Sequence, residues 1–280
     1  SGRYIKINNF KSYPINLGSF NKSKKIVEIK NFKKTYQLKK NATYIFSNKN
    51  IKDQALEFVF KNKDSKLIIN GDFYNTQFLF NKEFTSQEGD ISEIRYDKNL
   101  LTGCVNFFET NFSKVSILSN NMICEDSVNI KNSKGNISNI NINNSRYDAI
   151  DLDFSSILIN NISIINAKND CIDVSFGNYK IEKAFLKNCG DKGVSVGEKS
   201  TLEMSEANIL SSNIGVASKD SSLTKIDKVE IKDINICLTA YNKKREFKGS
   251  ELRVNEFDCA NYKIKTENDK LSKIYILNEG

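Results

Sequence analysis

The chain lacks histidine and tryptophan and has a single proline among its 280 residues. Without histidine it cannot build a Ser-His-Asp or Cys-His nucleophile system from its own residues, and it cannot ligate zinc or iron through imidazole. Acid–base chemistry would therefore fall to Asp, Glu, Lys, Tyr, Cys or Arg. The single proline argues against Pro-rich linkers between domains.

The sequence also lacks metal-binding cysteine pairs and long apolar runs. Its six cysteines form no Cys-x-x-Cys motif, so a zinc ribbon is not expected. Their spacing of about 20 residues favours one position of a structural repeat, although an even number also permits disulfides. No apolar run is long enough for a transmembrane helix. No signal peptide is visible, and the opening Ser1–Gly2 is typical of the remnant of an expression tag, which is compatible with removal of a native leader.

Positive charge is concentrated in the first part of the chain. Residues 1–100 hold 19 Lys and Arg against 10 Asp and Glu, whereas residues 101–280 hold 23 against 24. A basic surface attracts polyanions, but no motif that reads nucleic acid accompanies this charge. We therefore predict no nucleic-acid partner.

An apolar triplet recurs through the middle of the chain at spacings of 22, 22, 23 and 22 residues. The segments are short, rich in β-branched residues and separated by Asn, Ser, Gly and Asp, which predicts strands rather than helices. A period near 22 residues indicates an all-β fold, a single-stranded right-handed parallel β-helix (solenoid) with about 22-residue coils. The triplet stands at Ile137, Ile140 and Ile142, then at Ile159, Ile162 and Ile164, Ile181, Ala184 and Leu186, Met204, Ala207 and Ile209, and Ile226, Val229 and Ile231.

The extent of this periodicity sets the expected domain limits. Residues 65–257 are predicted to form one β-helix domain. Residues 1–64 are expected to form an N-terminal cap with less regular first coils, and residues 258–280 a C-terminal cap.

Aligning the coils stacks acidic residues on one face. In the row Asp148–Phe154, Ile150 and Leu152 point inward, so Asp151 and Asp153 point outward. The same alternation in neighbouring rows predicts exposed side chains at Asn129, Asp173, Ser175 and Ser195.

Adjacent coils of a parallel sheet lie about 4.8 Å apart, so Asp151 and Asp173 are predicted to stack. Asp148, Asp170 and Asp191 are predicted to form a second column at the preceding turn. Carboxylates this close must bind a cation, pair with Lys or Arg, or share protons. The nearby candidates for pairing or assistance are Arg146, Tyr147, Lys192 and Lys219.

The rows Tyr147–Phe154, Asn169–Ser175 and Gly190–Glu198 resemble those of the pectate-lyase-like superfamily of right-handed parallel β-helices. The resemblance covers about residues 65–257. It implies an acidic polysaccharide as partner and an extracellular, periplasmic or cell-surface location. The superfamily includes lyases that use Ca²⁺ with a Lys or Arg base, and hydrolases that use clustered Asp. Those hydrolases usually carry a Gly-His-Gly segment, which this chain lacks.

Three functions are open at this point, with a lyase favoured. In the lyase, Asp151, Asp153 and Asp173 would hold Ca²⁺ and Lys192 would abstract a proton from a uronate. In a hydrolase, the same Asp residues would act in pairs without a metal. The third function is a non-catalytic glycan-binding or scaffold module. The residues expected to bind substrate are Asp148, Asp170, Asp191, Arg146, Tyr147 and Lys219.

Overall fold

The computed structural model describes residues 25–85 and 100–280. Within these ranges all regular secondary structure is β-strand. No helix in the described part of the chain is long and apolar enough to cross a membrane. The strands, in chain order, are β1 Lys25–Glu28, β2 Thr35–Leu38, β3 Ala42–Lys52, β4 Ala55–Phe60, β5 Lys66–Tyr74, β6 Gln77–Lys82, β7 Gly103–Asn120, β8 Asp126–Lys131, β9 Lys134–Ser145, β10 Asp148–Asp153, β11 Ser156–Ala167, β12 Ile172–Ser175, β13 Asn178–Gly197, β14 Thr201–Lys219, β15 Leu223–Tyr241, β16 Glu251–Asn268 and β17 Lys273–Glu279.

Each strand pairs in parallel with the strands one coil before and one coil after it. The chain thereby winds into a β-solenoid of about 10 turns with coils of about 22 residues. The apolar triplet falls in register as expected: Ile137, Ile159 and Ile181 are aligned on β9, β11 and β13. These observations confirm the predicted all-β parallel solenoid and its period.

Parallel pairing extends beyond the predicted domain limits at both ends. It begins at Lys25, which pairs with Ala42, and is still present at Glu279, which pairs with Phe257. The division into two caps and a solenoid at residues 64 and 257 stays a prediction, and residues 1–24 lie outside the described residues.

The buried core changes composition along the solenoid axis. In the first coils it is built from aromatic rings such as Phe58, Phe78 and Phe80, which are fully buried and stack on one another. From β7 to β15 most of the same inward positions hold aliphatic side chains, as at Ile140 and Ile162. Each such side chain contributes about 1.5–3 kcal/mol when fully buried. The change from rings to β-branched side chains explains why the first coils look irregular in the sequence.

One corner of the coil is marked by four asparagines with left-handed backbone, Asn121, Asn144, Asn166 and Asn188, whose φ values are 62°, 58°, 64° and 57°. Asparagine tolerates this conformation better than most residues with a side chain. Each later amide donates to the Oδ1 of the one before it, at 2.9, 2.9 and 2.8 Å. We call this column the asparagine ladder. It fixes the corner from which the strands of the acidic face start.

All six cysteines form disulfides inside the solenoid: Cys104–Cys124, Cys171–Cys189 and Cys237–Cys259. The interpretation of their spacing as one repeat position is therefore wrong. Cys259, for example, aligns in register with Ile231 of the previous coil rather than with Cys237. Bonded cysteines come from different positions of the coil and meet across its interior.

Replacing Cys171 and Cys189 together by Ala should lower the free energy of unfolding by about 3 kcal/mol, because the bond constrains a short loop in the unfolded chain. Guanidinium unfolding under oxidising conditions measures this difference. With a thiol reductant present in both samples, variant and wild type should become nearly equal. Equal stability in the oxidised samples would contradict the bond.

Candidate functional site

The acidic face is formed by β8, β10 and β12 and by the final segments of β13 and β14. Its first column contains Asn129, Asp151, Asp173 and Ser195, which are aligned on four successive coils. The predicted stacking of Asp151 on Asp173 is confirmed. Asp153 lies two residues along β10 and aligns with Lys131 of the coil before it.

A second column contains Asp126, Asp148, Asp170 and Lys192. Asp126 and Asp148 are in register, and the amide of Asp170 donates to Asp148 Oδ1 at 2.8 Å. The amide of Lys192 donates in the same way to Asp170 Oδ1 at 3.0 Å. The prediction that Asp191 continues this column is therefore wrong. Asp170 and Lys192 are 22 residues apart, the same offset that pairs Ala167 with Cys189 and Ile172 with Val194, so Lys192 follows Asp170.

Two residues of the first column are less accessible than strand alternation predicts. Asn129 and Ser195 are fully buried, so the expectation that they are exposed is wrong. Side chains of adjacent coils cover them: Asn129 Nδ2 donates to Asp151 Oδ2 at 3.2 Å, and Lys219 Nζ donates to Ser195 Oγ at 2.6 Å. Asp151 and Asp173, which lie between Asn129 and Ser195 in this column, are each half-buried. The reachable part of the column is thus its pair of carboxyl groups.

Three lysines surround the carboxyl groups. Lys131 Nζ lies 3.7 Å from Asp153 Oδ2, and Lys219 Nζ lies 3.9 Å from Asp173 Oδ1. Lys192 Nζ lies 3.4 Å from Asp170 Oδ1 and also pairs with Asp191. The structure therefore brings Lys192, Lys219 and the six predicted Asp residues to one site. Lys131 was not predicted as a site residue, although it occupies the position of Asp153 in the preceding row.

Burial and mutual repulsion raise the pKa of most of these carboxyl groups. The pKa of Asp148 rises to about 7, first because the group is buried and then because Asp170 and Asp173 are close. Burial also raises the pKa of Asp151 and of Asp126 well above the usual range, and neighbouring Asp residues add to both shifts. These groups hold protons at a pH where an exposed Asp would be ionised.

The pKa values of Asp153 and Asp170 are raised as well. Burial is the largest cause in both cases, and Lys131 and Lys192 respectively oppose it. Asp126 was missed as a site residue in the sequence, although the row Asp126–Lys131 places it in register with Asp148.

Lys192 is held as an ammonium ion. Burial favours its neutral form, but Asp170 and Asp191 outweigh burial, and the pKa of Lys192 is raised. The pKa of Asp191 is lowered in return, because its hydrogen bond and charge interaction with Lys192 exceed the opposing effect of burial. A side chain in this environment is poorly suited to accept a proton.

Two buried oxygens of the first column, Asn129 Oδ1 and Asp173 Oδ1, accept no hydrogen bond. Oxygen donors of this kind are what a hard cation such as Ca²⁺ binds, so the donor chemistry of Asp151, Asp153 and Asp173 suits the predicted ion. Over residues 25–85 and 100–280, however, no group of three or more His, Cys, Asp or Glu side chains is positioned to hold a metal ion.

The far edge of the face is flanked by an aromatic pair and a loop that sequence reasoning did not connect with it. The rings of Phe154 and Phe176 stack at 4.7 Å between centroids and remain 48% and 39% exposed. Lys244, on the loop after β15, pairs with Glu198, and Phe247 of the same loop contacts Phe176. No periodic signal relates this loop to the Asp rows.

Arg146 and Tyr147 lie apart from the Asp columns. They line a groove of about 620 Å³ at the corner where the strands of the acidic face begin, and its described lining includes no Asp or Glu. The guanidinium of Arg146 lies 6.0 Å from the centroid of the Tyr147 ring. Their predicted role in substrate binding stays a prediction.

No family model matches this chain, and neither a curated protein nor a solved structure does so. The assignment of a site therefore depends on the geometry described above.

The raised pKa of Asp148 makes stability depend on pH. Because the folded-state pKa of about 7 exceeds the usual value of 3.8, the folded state binds the proton more tightly, and stability falls as pH rises between these values. Asp148→Asn removes this charge but keeps the acceptor for Asp170. Its free energy of unfolding, measured in urea with chelator, should exceed that of wild type at pH 8, and the difference should shrink toward pH 4.

Asp258→Asn is the matched control, because Asp258 is exposed on β16. Its stability should follow wild type across the same pH range. A pH-independent difference between Asp148→Asn and wild type would contradict the raised pKa of Asp148.

Proposed function

We propose that the protein cleaves glycosidic bonds of an acidic polysaccharide at the acidic face, by acid–base catalysis between carboxyl groups. The observation that supports this most is the pairing of unlike environments on adjacent coils. The pKa of Asp148, raised to about 7, keeps that group protonated near neutral pH, while Asp173 Oδ1 faces the ammonium of Lys219 at 3.9 Å. A protonated carboxyl group on one coil and a carboxyl group beside a lysine on the next are the pattern of a general acid and a general base.

In this reaction Asp148 is the general acid and Asp173 the general base. Water adds to the anomeric carbon as the glycosidic C–O bond breaks. The proton of Asp148 passes to the leaving oxygen, and the proton of the water passes to Asp173. Both side chains are half-buried, so that a substrate can reach them.

Calcium-assisted elimination is the second candidate, supported by the unpartnered oxygens of Asn129 and Asp173. Asp151, Asp153 and Asp173 would hold the ion, which would neutralise a uronate carboxylate. The base that we predicted for this reaction, Lys192, has a raised pKa between Asp170 and Asp191. Because elimination needs a neutral amine there, the acid–base hydrolysis has the stronger support.

We also propose that the solenoid belongs to the pectate-lyase-like superfamily, because its Asp rows resemble those of that superfamily. A location outside the cytoplasm accompanies this proposal. The three disulfides support it, because such bonds persist mainly in oxidising compartments.

Asp148→Asn and Asp173→Asn should each lower kcat about 10²–10⁴-fold on the susceptible polymer, because each removes one proton-transfer group. Release of reducing ends from a panel of polyuronates measures the activity. Cleavage by wild type should persist in chelator and should decline as pH rises through about 7, where Asp148 loses its proton. Asp258→Asn, matched in charge change, should retain full activity.

The products decide between the candidates. Unsaturated products that absorb in the ultraviolet and depend on added Ca²⁺ would replace hydrolysis by elimination. Polymer binding without any cleavage, unaltered in Asp148→Asn and Asp173→Asn, would indicate a glycan-binding module instead.

A further inference from the structure

We propose that the groove beside Arg146 is a subsite that binds a carboxylate of the polysaccharide while the acidic face acts on a neighbouring bond; this rests on the proposed function. We call it the basic groove. Its volume of about 620 Å³ is in the range of sites that hold small molecules, and so suits a sugar unit. Its described lining consists of Lys82, Asn121, Met122, Ile123, Asn144, Ser145, Arg146, Tyr147, Asn166, Ala167, Lys168 and Asn188.

Three of these residues are cationic. Arg146 is half-buried and Lys168 is exposed, and neither forms an ion pair with any residue in the described ranges. Most lysines around the acidic face, by contrast, are committed to Asp or Glu partners. Arg146 and Lys168 are therefore available to an external anion.

Backbone hydrogen bonds fix the main chain of Arg146 and Lys168 on adjacent coils. The amide of Arg146 donates to Met122 O at 3.0 Å, and the amide of Lys168 donates to Ser145 O at 3.1 Å. Buried Met122 forms part of the apolar lining, and the Tyr147 ring lies beside the guanidinium of Arg146. A planar guanidinium held in this way can bind a carboxylate through two parallel hydrogen bonds.

The asparagine ladder adds neutral donors along the same groove. Asn121 stands at the start of the ladder, so its Nδ2 donates to no other asparagine of the ladder. Asn121 lines the groove together with Lys82. An anion placed here would meet amide N–H groups as well as charge.

The position of the groove explains why an acidic substrate needs it. Arg146 and Tyr147 immediately precede Asp148, and Lys168 stands two residues before Asp170. Asn169, which follows Lys168, donates to Asp148 Oδ1 at 2.6 Å and so links the groove to the second column. Any carboxylate of the acidic face that is ionised repels the anionic groups of a polyuronate. Cations on this flank would hold the charged group of the substrate away from the Asp columns.

The test measures binding in the Asp148→Asn background, which prevents cleavage. Isothermal titration with polygalacturonate, alginate, dextran sulfate and neutral dextran compares this protein with versions that also carry Arg146→Gln, Lys168→Gln or both. Each substitution should raise the Kd for a polyuronate about tenfold, and the pair about 100-fold, because charge-assisted hydrogen bonds are lost. Lys263→Gln makes the same charge change at an exposed position of β16, and it should alter the Kd less than twofold.

Salt and the sulfated polymer sharpen the result. The Kd of the parent protein should rise with salt, and the double variant should lose most of that dependence. Four results would overturn the carboxylate subsite. The Lys263→Gln variant could lose as much affinity as the double variant, or the double variant could bind polyuronate as tightly as the parent protein. Dextran sulfate could bind most tightly of the four polymers, or no polyuronate could bind at all.

Cleavage separates this inference from the proposed function. In the otherwise wild-type chain, Arg146→Gln with Lys168→Gln should raise KM and leave kcat within about twofold, because these residues bind substrate without taking part in proton transfer. If the Arg146→Gln and Lys168→Gln variants bind polyuronate normally while Asp148→Asn abolishes cleavage, the subsite fails and the proposed function stands. If binding falls as expected but Asp148→Asn and Asp173→Asn still cleave, the function fails and the subsite stands.

Discussion

Parallel main-chain pairing at a period of about 22 residues is the constraint on which the rest of this molecule depends. It places each residue directly beside its counterpart one coil away, about 4.8 Å distant, whatever the chemistry of the two side chains. For apolar residues the result is favourable: Ile137, Ile159 and Ile181 stack into a continuous core. For asparagines it produces an amide ladder at a corner where their backbone tolerance is needed. For aspartates it produces repulsion that the structure must offset.

Lysines and protons offset that repulsion differently in the two columns. Lys192 ends the second column and pairs with Asp170 and Asp191, so this end of the cluster is neutralised by a fixed cation. In the middle, Asp148 and Asp151 have few cationic neighbours, and burial raises the pKa of both. An arrangement that served stability alone would place neutral side chains there, because burying a carboxylate without a partner is costly. This cost is one reason why we propose a catalytic role for the acidic face.

The surroundings of the acidic face are asymmetric. On the side of the asparagine ladder lie cations without ion-pair partners in the described residues, Arg146 and Lys168. On the opposite side lie the stacked rings of Phe154 and Phe176, which adopt left-handed backbone with φ of 48° and 49°. Asn132, one coil earlier, has a φ of 51°, so this conformation belongs to a repeated corner of the coil, although it is unusual for a bulky residue. A polysaccharide bound as we propose would contact the cations on one side of the face, the carboxyl groups in the middle and the aromatic rings on the other side.

The repeat in the sequence was sufficient for the all-β class, the coil length and the stacking of Asp151 on Asp173, because each follows from a local period and from strand alternation. Tertiary structure decided whatever depends on the space between coils. It paired the cysteines across the interior and buried Asn129 and Ser195 under neighbouring side chains. It also brought Lys244 to Glu198 from a loop 46 residues away. The 22-residue period determines which residues align along the solenoid axis. Burial, charge pairing and contacts across the coil depend instead on side chains at different positions of the coil, and the period does not predict which of these positions come into contact.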